Sequence, residues 1–173
     1  MISYGTVNFN ASAALSSLEL RNSTLGGTAS VTVAGPFLWR PGATIAGSGP
    51  VDILGPALID TTNYVVALDG RSLNFHAGAT WRGAGGGIYL QNGAVLNNLA
   101  GSTFTITDDG VVSQWAGAPS VFNNAGVLRK TGGSGITIFY DRLNNSGSFE
   151  VLSGGLDWRA GGSLDELAPS HQL

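Results

Sequence analysis

The sequence predicts an all-β chain wound as a parallel β-helix, a β-solenoid with coils of about 21 residues. Three observations predict it. Short runs alternate apolar and polar residues, as a strand with one buried face requires. Gly-Gly, Asn-Gly, Asp-Gly and Ser-Gly steps, which mark turns, lie between the runs. Finally, Phe122-Asn123-Asn124-Ala125-Gly126-Val127-Leu128 returns as Leu143-Asn144-Asn145-Ser146-Gly147-Ser148-Phe149.

The runs, in chain order, are Ser30-Val31-Thr32-Val33, Val51-Asp52-Ile53-Leu54, Thr103-Phe104-Thr105-Ile106-Thr107, Ile136-Thr137-Ile138-Phe139-Tyr140 and Ser148-Phe149-Glu150-Val151-Leu152. β-branched and aromatic residues fill them, as a pleated surface favours. A looser copy of the Asn motif stands at Leu96-Asn97-Asn98. A second motif, Leu38-Trp39-Arg40, returns as Asn74-Phe75-His76 and Asp157-Trp158-Arg159 and is expected at equivalent positions. With strands about 4.8 Å apart, about eight coils would make a rod of roughly 40 Å. Asn123, Asn124, Asn144 and Asn145 are expected to stack as an amide ladder, each donating to the next carbonyl. An antiparallel sandwich would also have short strands and Gly-rich turns, but would not require the recurrence. The coils are expected to fill residues 1–162. Residues 163–173, where Ser163-Leu164-Asp165-Glu166 is a capping-box pattern and Pro169 a stop, would be a short capping helix or a frayed tail.

Composition excludes several functions. The 173 residues suit one domain. Without Cys there is no disulfide framework, no thiolate nucleophile and no Cys zinc site. Two His cannot supply a zinc site alone, so neither metal nor cofactor is expected. Eight Lys and Arg against eleven acids, net −3, do not suit a phosphate-backbone binder, so no nucleic-acid partner is expected. No apolar run approaches the ~18 residues of a membrane span. Met1-Ile2-Ser3-Tyr4-Gly5 does not open like a signal peptide.

The stretch from Phe122 to Leu156 resembles the Asn-Asn-x-Gly repeats of large bacterial cell-surface and secreted proteins, such as autotransporter passengers and filamentous-haemagglutinin-like adhesins. Phe37 to Gly49 is similar to another phrase of those repeats, and the resemblance extends over roughly residues 14 to 162. It implies a right-handed parallel β-helix and an extracellular or cell-surface parent protein. It implies no particular activity, since such repeats serve as stalks, adhesins and glycan-processing scaffolds alike. Met1 opens inside a plausible coil, which suggests a fragment whose uncapped ends self-associate through unpaired strand edges.

Catalytic signals are sparse. There is no Gly-x-Ser-x-Gly elbow. The candidate general acids and bases are Asp108, Asp109, Asp141, Glu150 and His76, because glycosidases need two carboxylates about 5 to 10 Å apart and adjacent coils can supply that spacing. Asp52, Asp60, Asp69 and Asp157 are further carboxylates. For lyase chemistry Arg82, Arg129, Lys130, Arg142 and Arg159 are the available basic residues, although Arg is a poor base. Asp108-Asp109-Gly110 reads as a plain turn rather than a calcium loop. The Gly83–Gly87 and Gly132–Gly135 runs lack the ending of a phosphate loop.

In Trp39-Arg40, Trp81-Arg82 and Trp158-Arg159, Trp is expected inside and Arg outside, since neighbours on a strand face opposite ways. Arg40, His76, Arg82 and Arg159 are the candidate ligand-binding residues, with Arg40, His76 and Arg159 as a sparse basic stripe for uronic acids or other anionic glycans. The expected function is a structural or adhesive solenoid segment touching glycan or surface matrix along a rod. The alternative is a small carbohydrate-active hydrolase or lyase. An ice-binding surface would need flat ranks of Thr, which are scattered here.

Overall fold

Alternation and β-branching make strands of three to five residues in most of the chain, and a Gly or Asn corner ends nearly every one. The computed structural model describes residues 1–163, and these form a parallel β-solenoid with no helix. The expected capping helix falls at residues 164–173, outside the described residues.

Three faces run along the rod. The first holds the start of Leu18–Gly26, then Phe37–Trp39, Ala57–Asp60, Ala79–Arg82, Thr103–Ile106, Val127–Lys130 and Ser148–Val151. The second holds the end of Leu18–Gly26, then Thr44–Ala46, Val65–Asp69, Gly87–Gln91, Val111–Gln114, Ile136–Phe139 and Gly155–Trp158. The third holds Ala13–Leu15, Val31–Val33, Val51–Ile53, Ser72–Phe75, Val95–Asn98, Val121–Asn124 and Arg142–Asn145. Ile2–Asn8 lies ahead of Leu18–Gly26 and pairs with it. Each face is thus about seven strands deep, against the eight coils expected. Coil length explains the difference. Ala13 pairs with Val31, 18 residues on, but Val95 pairs with Val121, 26 residues on. The longest coil carries an extra loop at residues 115–119.

The core follows from the pleat. On each strand alternate residues point inward, and their equivalents stack between coils. Trp39, Ile59, Trp81 and Ile106 form one inward column, all buried. Phe75, Phe104, Phe122 and Phe139 touch edge-to-face through the centre, with centroids 5.9, 5.2 and 5.6 Å apart. Burying each such side chain contributes about 1.5–3 kcal/mol.

The expected amide ladder is present, and it is double. Asn98, Asn124 and Asn145 form a buried column; Asn74, Asn97, Asn123 and Asn144 form a half-exposed one on the outer side of the same face. None of these Asn residues has a positive φ; the left-handed Asn positions are instead Asn22, Asn63 and Asn92. Gly126 and Gly147 are glycine for another reason. A Cβ on Gly147 would run into the carbonyl of Gly126, and one on Gly126 into that of Ser102, so the corners can stack only without side chains.

One buried cation braces the early coils. Arg71 is sealed from solvent and meets no carboxylate among the described residues. Its guanidinium donates instead to four backbone carbonyls: Gly49, Ala46 at 3.1 Å, Ala29 at 2.6 Å and Gly26 at 3.4 Å.

Candidate functional site

The Trp-Arg motifs are not all equivalent. Trp39 and Trp81 share one inward column on the first face, as expected. Phe75, however, lies on the third face and Trp158 on the second. Every strand of a coil alternates in the same way and is followed by a turn. A shared phrase therefore identifies a strand without identifying its face.

Arg40 and Arg82 consequently meet at one corner. Asp60, between them in the stack, accepts from Arg82 Nη2 at 2.9 Å and lies 3.8 Å from Arg40 Nη1. Glu19 completes the row, 2.6 Å from Arg40 Nε. Burial alone would push the Asp60 carboxyl up, but the Thr62 hydroxyl, the Arg82 guanidinium and the Thr62 N–H together hold it below its ordinary value. His76 stands at the end of a third-face strand, its Nε2 3.1 Å from Asp52 Oδ1. Arg159 ends a second-face strand, 2.8 Å from Asp157 and over the Tyr140 ring at 5.3 Å. The expected stripe of Arg40, His76 and Arg159 is therefore three separate corners, each already in contact with a carboxylate.

The carboxylates are likewise committed to the scaffold. Asp109 accepts from Lys130 Nζ at 2.8 Å and from the Gly135 N–H at 2.9 Å, and both contacts hold it below the usual carboxylate range. Lys130 occupies the inward column of Ile106 and is fully buried. Its ammonium turns to the corner and also donates to the carbonyls of Asp108 at 3.1 Å and Gly132 at 2.8 Å. Asp108 caps the Ala84 N–H at 3.0 Å. Glu150 pairs with Arg129 at 2.6 Å on the first face. Asp52 and Asp69 accept from Asn74 and Asn92.

Asp141 is the exception. It is 2 % exposed at the corner before Arg142–Asn145, and neither oxygen has a hydrogen-bond partner among the described residues. Burial pushes its carboxyl up to about 6. That value suits a general acid, but the group is closed off from any polymeric substrate. Of the candidates Asp108, Asp109, Asp141, Glu150 and His76, the structure brings only Asp108 and Asp109 into one turn. Among the described residues no three His, Asp or Glu gather as metal ligands.

One exposed aromatic feature is not indicated by the motifs. Tyr89 points outward from the second face between buried Ile88 and Leu90. Trp115, at the base of the extra loop in the following coil, stacks on it with centroids 5.3 Å apart and planes 10° from parallel. With one face covered, Trp115 is still 71 % exposed. The loop is fixed: Gln114 Nε2 donates to the Gly117 carbonyl at 2.9 Å, and the Asn92 and Gly93 N–H groups donate to Ala116 and Ala118 at 3.0 and 2.9 Å. Beside Tyr89 lies a shallow cleft of about 340 Å³, lined by Gly86, Gly87, Asp109, Gly110 and Ile136. Gly110 must lack a side chain, because a Cβ there would meet the buried Trp81 ring at 2.7 Å. The available signal was parity: with Val112 inward, Trp115 falls on the outward phase. Trp115 belongs to none of the recurring phrases.

No protein-family model, curated protein or solved structure matches the chain.

Proposed function

We propose that the chain is a rigid rod segment of a bacterial surface or secreted protein, serving as scaffold and adhesive contact to glycan or matrix. One observation carries the reading. Eight of the nine described acids are bonded within the scaffold and the ninth is sealed, while a fixed aromatic pair stands open on one face. A solenoid displays such contacts along its length on a frame that loses little entropy on binding. The outer edge of Ile2–Asn8 has no strand beside it among the described residues, and such edges favour association between copies.

A panel of soluble and insoluble polysaccharides tests the reading, with bound protein and newly released sugar ends both recorded. Binding without release is expected. Release that disappears in Asp108→Asn or Asp109→Asn would replace the scaffold with a hydrolase or lyase. Sedimentation at rising concentration tests the association of copies.

A further inference from the structure

The geometry points to a binding strip for an uncharged pyranose chain on the second face, anchored by Trp115 and Tyr89. This deepens the adhesive reading and rests on it.

Three observations define the ligand. The first is shape. Tyr89 pairs in register with Ser113, and Ser113 falls beside Tyr140, one position past the pairing of Val112 with Phe139. Tyr89 and Tyr140 are thus outward on one line, two coil steps or roughly 10 Å apart at the usual strand spacing. That is about the length of two sugar rings in an extended chain. Trp115 lies alongside Tyr89, which gives the strip a wide apolar end. The C–H faces of equatorially substituted pyranose rings fit flat aromatic surfaces of this kind.

The second observation is charge. An anionic glycan needs free cations, and the cation in contact with Tyr140 is occupied. Arg159, beside Tyr140, is bonded to Asp157 and to the Tyr140 hydroxyl at 3.2 Å. The Lys130 ammonium near the cleft is buried on Asp109 and two carbonyls. A carboxylated sugar would gain little here, and an uncharged one has no charge to desolvate.

The third is rigidity. The Trp115 loop is tied to the preceding coil by the bonds of Asn92 and Gly93, so docking a ligand does not have to order it. Gln91 and Ser113, outward on the same face, are placed to exchange hydrogen bonds with ring hydroxyls.

Fluorescence titration of the whole chain with cellohexaose and laminarihexaose, beside a galacturonic acid hexamer, tests the assignment. Saturable binding of an uncharged hexasaccharide is expected, nearly independent of salt, with Trp115 shielded from acrylamide quenching. Trp115→Ala should weaken it at least about tenfold, the loss of one stacked ring. Tyr140→Ala should weaken it less. Unchanged circular dichroism and urea midpoint of Trp115→Ala would show that the fold is intact. Absence of binding to both uncharged probes overturns the inference, and so does binding that Trp115→Ala leaves intact. Salt-sensitive binding of the galacturonate hexamer alone overturns it too, while leaving the adhesive rod standing. Release of sugar ends would instead remove the rod reading, and dependence of binding on Trp115 would still hold.

Discussion

Asn97 and Asn98 are neighbours in one strand, yet their side-chain amides donate in opposite directions along the rod. Asn97 Nδ2 donates back to Asn74 at 2.7 Å, and Asn98 Nδ2 donates forward to Asn124 at 2.6 Å. The ends of each ladder fix its direction. The outer ladder terminates on the Asp52 carboxylate, which can only accept, so every amide above it turns its nitrogen that way. The inner ladder begins where the Ser102 hydroxyl donates to Asn98 and ends where Asn145 donates to the Gly147 carbonyl at 2.9 Å. Its amides must run the other way.

The two ladders should differ sharply in worth. Asn124 is buried, accepts from Asn98 and donates to Asn145 at 2.5 Å and to the Ser148 carbonyl at 3.2 Å. Asn124→Leu leaves these partners sealed and unpaired, so a loss of about 3 kcal/mol is expected. Asn123→Leu leaves half-exposed partners that water can satisfy, at a cost below about 1 kcal/mol. Urea unfolding of the two variants checks this; equal losses would contradict it.

Asp141 should make the rod less stable as pH rises. Its folded pKa, about 6, lies above the unfolded value of 3.8. Between the two the folded state binds more protons, so stability falls as pH climbs through that window. Above it the full penalty is about 3 kcal/mol. Asp141→Asn should therefore stabilise the protein at pH 8 by up to that amount, and the gain should vanish below about pH 4. Denaturation midpoints at the two pH values measure it, and a pH-independent difference would rule it out.

Lys130→Met should cost about 2–3 kcal/mol, because the Asp108 and Gly132 carbonyls lose a charged donor in a buried corner. The same variant should move the Asp109 carboxyl back up toward its ordinary range. A lowered folded pKa gives stability that is present above the unfolded value and lost as pH falls through the folded one. That acid-side loss should shrink in Lys130→Met. Carboxyl chemical shifts followed against pH report both effects, and an Asp109 that titrates unchanged would show that the ammonium does not set its pKa.

Much of the fold was legible because solenoid neighbours are separated by nearly constant steps. Asn123 and Asn144 are identical side chains 21 residues apart, and they do stack. The same step reads out the ion pairs: Glu19 to Arg40, Asp109 to Lys130 and Arg129 to Glu150 are each separated by 21, and Asp60 to Arg82 by 22. Applied to the charged residues, the period would have paired them in advance. Faces were less legible, as Phe75 and Trp158 show, because alternation is common to all three. The burial of Asp141 was not legible at all. It depends on how a corner closes, and no residue pattern marks that.

The Arg71 guanidinium holds carbonyls that belong to both preceding coils, and this has a mechanical consequence. In a simple stack each layer grips only the next, and tension along the axis would peel layers singly from an end. Here one side chain grips two layers at once. Pulled from the N-terminal end, the layers up to Arg71 share the load and come away as a block at higher force. Beyond it the rod yields one layer at a time.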